Sequence, residues 1–261
     1  RIVHHAIHSC IEPWLDPCFY EHSYACREGR GTHRALRTLK GYLKNRKLQY
    51  YLKCDVRKFF SNIDRSILVS ILREKIADEK LMELLTRLIL TAPGDRGIPI
   101  GNLTSQLLAN IYLNELDQFI KRKLRVRHYI RYMDDFILLF ESKEKAKDSA
   151  KAIECFLNNR LGLELAPHKT RLDQVKNGMS FVGYYLKGGR IRLRQHARRS
   201  IFSKVQTARH ECHIRAPINF ESKKLKQTKF YASYSSFKGQ IALTSYQEVL
   251  NSMLLEKLSL K

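Results

Sequence analysis

The sequence lacks any apolar run that approaches the roughly 18 residues of a transmembrane helix. It begins Arg1-Ile-Val-His-His, with neither an initiator methionine nor a signal-peptide pattern, and we expect an internal fragment whose true N-terminus lies upstream. It contains no internal repeat and no low-complexity tract. Its 261 residues, 44% apolar and 28% charged, therefore predict a soluble globular protein of one or two domains.

The cysteines lack the spacing of a zinc-binding motif. None of the six belongs to a C-x-x-C pair, which argues against a zinc ribbon or finger. An alternative metal site would use the evenly spaced Cys10, Cys18 and Cys26 beside the histidines between positions 4 and 8. We favour reduced, partly buried cytosolic thiols.

Acidic residues are scarce relative to basic ones. The 25 Asp and Glu residues stand against 48 Lys and Arg, a net charge of +23 that predicts a polyanionic partner such as nucleic acid or an acidic membrane surface. Residues 187–261 hold 16 basic and four acidic residues, a net charge of +12. This segment is therefore predicted to be a separate helical module that binds phosphates.

Hydrophobic periodicity predicts both strands and helices. A strand over 47–56 ends in Asp55, a hairpin over 129–140 has a polar tip, and short strands are expected over 181–186 and 190–193. Thr32 is predicted to cap a helix that runs toward Lys44, and Asp64 to cap another. A glycine-rich loop over 93–101 precedes a long helix over 103–124, and Gly162 ends a helix over 143–161.

Three carboxylates stand at strand ends: Asp55 on one strand, and Asp134 and Asp135 at the tip of the hairpin. If the strands are neighbours, these side chains converge, which is costly unless cations lie between them. Hard oxygen ligands suit Mg²⁺, and a pair of such ions stabilises both the attacking and the leaving oxygen of a phosphoryl transfer. The alternative is that the Asp pair supplies turn residues and that Asp55 caps a strand.

The surrounding blocks resemble the ordered motifs of reverse transcriptases. These blocks are Asp55-Val-Arg-Lys-Phe-Phe60, Pro99-Ile-Gly-Asn-Leu-Thr-Ser-Gln106 and Tyr132-Met-Asp-Asp135. Polymerases of this kind usually carry Gln before the glycine and Pro after the serine of the middle block, where this chain has Ile100 and Gln106. That pattern resembles the reverse transcriptases of diversity-generating retroelements, and the likeness spans almost the whole chain.

The resemblance implies an α+β fold: a right-hand polymerase palm with an antiparallel sheet and packed helices, partial fingers and a helical thumb. Residues 1–54 would form partial fingers leading into the palm, residues 55–186 the palm with interleaved fingers helices, and residues 187–261 the basic thumb. The implied activity is RNA-directed DNA polymerisation, an error-prone copying of a template RNA that uses two Mg²⁺ ions, with Mn²⁺ as a substitute.

The implied partners are template RNA, a primer or the growing cDNA, deoxynucleoside triphosphates and a small basic accessory protein that forms a ring. No membrane partner is expected, and the implied location is the cytoplasm, for a bacterial or phage-encoded protein.

Residue roles follow from the resemblance. Asp55, Asp134 and Asp135 match the metal-binding carboxylates, with the backbone carbonyl of Val56 as an extra ligand. Lys169 matches the basic residue that neutralises or protonates departing pyrophosphate, although a solvated lysine is the alternative.

Five further residues match the nucleotide site. Phe60 corresponds to an aromatic steric gate that excludes a 2′-hydroxyl, or else is a core aromatic. Gly101 would let the backbone approach the nascent base pair, or is an ordinary loop glycine. Ile100, where relatives place an amide, would weaken discrimination between bases. Gln106 either contacts the template or caps the loop. Arg30 either binds phosphates of the triphosphate or the template, or is an ordinary surface charge.

Two other functions remain open. One is the reverse transcriptase of a group II intron or a retron, against which the Ile100 and Gln106 pattern argues. The other is a catalytically silent RNA-binding scaffold on the same fold, because a net charge of +23 predicts salt-dependent RNA binding with or without chemistry.

Overall fold

The computed structural model describes residues 2–91, 94–99 and 101–194, together with the single positions 199, 239, 242 and 244. The chain divides into two compact units, Arg1–Val175 and Lys176–Lys261. Most of the predicted thumb, and the motif residue Ile100, lie outside the described residues. The domain boundaries at 54/55 and 186/187 stay predictions.

Helices and one four-stranded sheet make up the described part of the first unit. The helices are α1 (Ile2–Leu15), α2 (Thr32–Tyr42), α3 (Phe59–Asn62), α4 (Arg65–Arg73), α5 (Glu79–Leu90), α6 (Leu103–Gln118) and α7 (Lys143–Leu161). The strands are β1 (Tyr50–Asp55), β2 (His128–Tyr132), β3 (Asp135–Phe140) and β4 (Arg171–Gln174). A π-helical turn, Phe119–Lys123, continues α6, so the predicted helix over 103–124 is present but changes its hydrogen-bonding pattern near its end.

The sheet has the strand order β2-β3-β1-β4, and every neighbouring pair is antiparallel. Successive side chains of a strand point to opposite faces. Leu52 and Cys54 of β1, with Phe136 and Leu138 of β3, belong to one hydrophobic core with side chains of α6 and α7. The other face of β1 carries Lys53 and Asp55, which are not part of that core.

Of the three predicted helix caps, two are confirmed and one is wrong. Asp64 accepts hydrogen bonds from the amides of Ser66 and Ile67, which confirms it as the N-cap of α4. Gly162 ends α7 at φ 58° and ψ 30°, the left-handed cap that was predicted. The prediction for Thr32 is wrong: Gly31 is the N-cap of α2, and the Thr32 hydroxyl instead donates to the Tyr132 hydroxyl at 3.3 Å.

The second unit contains a three-stranded antiparallel sheet with the order β5-β6-β7. Its strands are β5 (Met179–Phe181), β6 (Tyr184–Lys187) and β7 (Arg190–Leu193). The predicted strand over 190–193 is confirmed as β7, whereas the single strand predicted over 181–186 is wrong in its bounds, because this range is divided between the end of β5 and β6. Val182 and Gly183 have positive φ angles of 43° and 87°, so the chain reverses between β5 and β6.

No helix among the described residues is both long and apolar enough to cross a membrane.

Replacing Gly162 with alanine should lower the free energy of unfolding by about 1 kcal/mol, because alanine is disfavoured in the left-handed region. The added Cβ would also meet the Arg96 side chain at 2.8 Å. Gly41→Ala is the matched control: Gly41 lies inside α2, has no positive φ and has nothing within 4 Å of an added Cβ. It should raise stability by about 0.5–1 kcal/mol. Urea unfolding measures the free energy of unfolding of both variants. If G162A were as stable as the wild type, Gly162 would not be needed as the left-handed cap of α7.

Candidate active site

Strand register brings the three predicted carboxylates to one end of the sheet. In the antiparallel pairing of β1 with β3, Asp55 lies directly opposite Asp135. Asp134 is the preceding residue at the hairpin tip, and its carbonyl accepts a hydrogen bond from the Val56 amide at 3.2 Å. Residues directly opposite one another in such a pair have Cβ atoms about 5 Å apart.

The hairpin between β2 and β3 is tight. Met133 has a φ of 55°, in the left-handed region that two-residue hairpin turns require. Tyr132 pairs with Asp135 across this hairpin, so no residue separates the strands except Met133 and Asp134. The sharp turn therefore keeps both acidic residues at the end of the sheet.

Two lysines contact this acidic group. The Lys169 ammonium lies 2.9 Å and 3.1 Å from the two carboxylate oxygens of Asp55, and the Lys53 ammonium lies 3.1 Å from Oδ2 of Asp135. The Asp55 side chain is 13% exposed and that of Lys169 is 64% exposed, so Lys169 approaches from solvent. The hydrogen bond to Asp55 and its negative charge raise the pKa of Lys169, so the lysine is a stable cation here.

The surroundings of Asp134 disfavour its charged form. Burial, and also the charge of Asp55, raise the pKa of this carboxyl above its ordinary value. Hard oxygen donors with such repulsion suit a divalent cation. Across the described ranges, no group of three or more His, Cys, Asp or Glu side chains is arranged to hold a metal ion. The three carboxylates suit a cation by their donor chemistry alone, and Asp135 and Asp55 form ion pairs with Lys53 and Lys169.

Backbone hydrogen bonds orient Val56 toward the hairpin. The carbonyl of Asp55 accepts from the Ala166 amide, and the Arg57 amide donates to the Glu164 carbonyl, so the residues on either side of Val56 bond to the 164–166 segment. The Val56 amide points the other way, to Asp134. In extended backbone the amide and carbonyl of one residue point to the same side, so the Val56 carbonyl faces the hairpin tip.

The predicted nucleotide-site residues lie in α3 and around the start of α6. Phe60 is half-buried and meets Phe59 edge-on, with ring centroids 5.4 Å apart, whereas Phe59 is the fully buried member of the pair. Gly101 has a φ of 97°, and an added Cβ would meet nothing within 4 Å. Its left-handed backbone, not close packing within the chain, therefore requires glycine. Gln106 lies in the first turn of α6.

Arg30 lies in a loop that is attached to β2. The Tyr24 amide donates to the Arg131 carbonyl at 3.0 Å, and the Gly31 amide donates to the Tyr24 carbonyl at 2.9 Å. The guanidinium of Arg30 donates to the Glu21 carbonyl at 2.8 Å, and the residue is half-buried. Arg30 is thus positioned by the strand that leads into the Asp134-Asp135 turn.

A buried charge network lies beneath the hairpin. Arg131 of β2 and Asp117 of α6 form a two-pronged ion pair at 2.6 Å and 2.8 Å, and both side chains are 0% exposed. Nη1 of Arg131 also donates to the Asn110 side chain and to the Met133 carbonyl, each at 3.2 Å. Tyr129 donates to Asp117 at 2.6 Å. Burial, and then the charge of Asp117, raise the pKa of Tyr129 well above its ordinary value, so its hydroxyl remains a donor.

Lys53 and the Arg131–Asp117 pair were not among the predicted site residues. The alternation of β1 offered a signal for Lys53, since a residue two positions before Asp55 shares its face. Arg131 and Asp117 offered another, because each is a charged residue within an apolar strand or helix. Burial of a charge usually requires a partner, but the sequence alone does not say which one.

A comparison with protein families matches residues 1–186 to the family described as reverse transcriptase (RNA-dependent DNA polymerase). The chain belongs to the reverse transcriptase family. The match includes all three strand-end carboxylates and the glycine-rich loop between them.

Curated relatives are longer than this chain. Protein YkfC of Escherichia coli is 29% identical over 230 residues, which cover 71% of this chain and 60% of YkfC. Group II intron-encoded protein LtrA of Lactococcus lactis is 24% identical over 257 residues, which cover 72% of this chain and 43% of LtrA. The chain thus spans about half the length of these relatives.

Among solved structures, telomerase from Candida tropicalis in complex with the TWJ fragment of telomeric RNA superposes with a TM-score of 0.62 at 15% identity. The match covers 97% of this chain and 46% of the telomerase. At this identity the likeness concerns the fold, and it confirms the predicted α+β polymerase fold with an antiparallel palm-like sheet.

Replacing Arg131 with methionine should lower the free energy of unfolding by about 3–5 kcal/mol, because it leaves the Asp117 carboxylate buried without its counter-ion. The double variant Arg131→Met, Asp117→Leu removes both charges and should be more stable than R131M alone. Chemical denaturation of the single and double variants measures the difference. If the single and double variants were equally unstable, the unpaired charge of Asp117 would not be the cause of the lost stability.

Proposed function

We propose that the protein is an RNA-directed DNA polymerase that adds deoxynucleotides to the 3′-hydroxyl of a primer annealed to RNA. The main support is the direct pairing of Asp55 with Asp135 across β1 and β3, with Asp134 beside them. A structural sheet gains nothing from three carboxylates at one end, since burial and the charge of Asp55 raise the pKa of Asp134, and Asp55 and Asp135 each pair with a lysine. Such an arrangement is useful for binding cations.

Asp55, Asp134 and Asp135, with the Val56 carbonyl, would hold two Mg²⁺ ions, or Mn²⁺ in their place. When bound, such ions stabilise the charge on the attacking and leaving oxygens of phosphoryl transfer. Lys169 and Lys53 pair with Asp55 and Asp135 and supply part of the positive charge that these carboxylates need.

Lys169 would act on the departing pyrophosphate. Its ammonium is already held at Asp55, and its raised pKa keeps it protonated, so a proton donor is available beside the reacting phosphates. Its largely exposed side chain leaves room for the ammonium to move from Asp55 toward an arriving anion.

Phe60 and Gly101 would shape the nucleotide site. Phe60 is only half-buried, which leaves part of the ring available to pack against a deoxyribose and exclude a 2′-hydroxyl. Gly101 presents open backbone at the start of α6, where a base pair could approach it. Gln106, one turn further, would contact the template, and Arg30 would meet phosphates.

Within the family, we propose the diversity-generating retroelement subtype, with error-prone copying of a template RNA and a small basic ring-forming protein as partner. The support is the pair Ile100 and Gln106 in the middle motif. The competing proposal is a group II intron or retron enzyme, which the similarity to LtrA supports.

Asp134→Asn should reduce primer extension with Mg²⁺ and deoxynucleotides by about a hundredfold or more, because a ligand of the proposed ions loses its charge. Its affinity for the RNA–primer duplex, measured by fluorescence polarisation, should stay unchanged. Asp173→Asn is the matched control, since Asp173 lies on β4 of the same sheet but away from the hairpin tip. If the wild-type protein bound RNA but did not extend a primer, the alternative of a catalytically silent RNA-binding scaffold would be favoured.

Ile100→Gln should lower misincorporation opposite template adenines by about tenfold, because it restores a hydrogen-bonding group near the nascent pair. Sequencing of cDNA made by the two proteins on one template gives the error frequencies. An unchanged frequency opposite adenine would remove the support for the retroelement subtype and leave the polymerase assignment intact.

A further inference from the structure

The helix that carries Phe60 is too short to be stable alone. Helix α3 has four residues, Phe59–Asn62, and begins after Lys58 in a left-handed conformation at φ 42°. Isolated helices of this length are not stable in water, and a left-handed lysine is disfavoured. The position of Phe60 therefore depends on what α3 contacts.

The glycine-rich loop before α6 holds the backbone of this short segment. The Ile98 amide donates to the Phe60 carbonyl at 2.9 Å, and the Gly97 amide donates to the Ile63 carbonyl at 2.8 Å. The two segments are in close contact, because a Cβ on Gly97 would lie 2.9 Å from the carbonyl oxygens of both Phe60 and Ser61. The loop thus fixes the residue proposed to select the sugar.

Arg65 in turn fixes the loop. Its side chain, from the first turn of α4, donates to the carbonyls of Gly97 at 2.7 Å, Gly94 at 2.7 Å and Arg96 at 3.1 Å. Arg65 is 7% exposed although it is charged. Buried charge is costly unless it is well hydrogen-bonded, and here the donors converge on carbonyls of one loop. No role was predicted for this residue.

We propose that Arg65 is a positioning residue for sugar selection: it fastens the 94–98 loop, which holds α3 and with it the Phe60 ring. The inference rests on the proposed polymerase function. Arg65 would touch neither substrate nor metal, and would act only through the loop carbonyls and the two amides that bond to Phe60 and Ile63. A planar guanidinium suits this task, because its donors point in fixed, separate directions.

The test is the ratio of kcat/KM for a deoxynucleotide to that for the matching ribonucleotide in primer extension. Arg65→Met should lower this ratio by about tenfold or more, since a small displacement of a positioning group strongly affects selectivity. Loss of folded protein alone scales both rates equally and leaves the ratio unchanged. The ratio therefore separates positioning from a general structural role.

Two further variants keep the test decisive if R65M folds poorly. Arg65→Lys retains the charge, but one ammonium cannot reach the three carbonyls as a guanidinium does, so it should give an intermediate loss. Gly97→Ala disturbs the same contact from the loop side, because its Cβ would collide with the Phe60 and Ser61 carbonyls. Arg73→Met, at the exposed end of α4, is the matched control and should leave the ratio unchanged.

Phe60→Val separates this inference from the proposed function. If the wild type does not extend a primer, the proposed function fails and the inference fails with it. If F60V loses discrimination while R65K and G97A keep the wild-type ratio, Phe60 is the gate and Arg65 does not position it. Loss of discrimination in R65K and G97A, but not in R73M, supports the proposal.

Discussion

The register of β1 against β3 is the constraint on which the site depends. Because side chains alternate along a strand, a slip of one residue would send Asp55 or Asp135 to the helix-packed face. Burial of Leu52 and Cys54 on that face opposes such a slip. Hydrophobic packing on one side of the sheet thus holds together, on the other side, carboxylates that repel each other. Packing of the hydrophobic core therefore fixes the strand register that places the carboxylates at one end of the sheet.

Two buried arginines extend this arrangement to the loops around the site. Arg131 binds Asp117 and the Met133 carbonyl, and so ties the hairpin tip to α6. Arg65 binds three carbonyls of the loop before α6 and so ties that loop to the start of α4. Each uses the rigid fork of a guanidinium to fix irregular backbone, which a hydrophobic side chain could not satisfy. Helix α6 lies between the two tied segments in the sequence and provides the common support.

Helix caps and the hairpin could be predicted from the sequence, because they depend on residues that are close together in the chain. The caps at Asp64 and Gly162 follow from side-chain and backbone preferences within one turn, and a β-branched and aromatic run around Met133 and Asp134 located the hairpin. The predicted strand over 181–186 failed because a tight reversal at positive φ has no strong signal when valine occupies it. Arg65 and Arg131 were missed because their partners Gly97 and Asp117 lie 32 and 14 residues away in sequence, a choice that only the tertiary fold makes.

Iron-directed cleavage of the backbone would locate a cation bound at this end of the sheet. Fe²⁺ bound in place of Mg²⁺, with ascorbate and peroxide, cuts the backbone next to its ligands. We predict cuts near Asp55 and near Asp134, which are far apart in sequence but which the pairing of β1 with β3 brings to one end of the sheet. Excess Mg²⁺ should suppress both cuts together. Cleavage at only one of these segments, or cleavage that Mg²⁺ does not affect, would contradict a shared cation site at the end of the sheet.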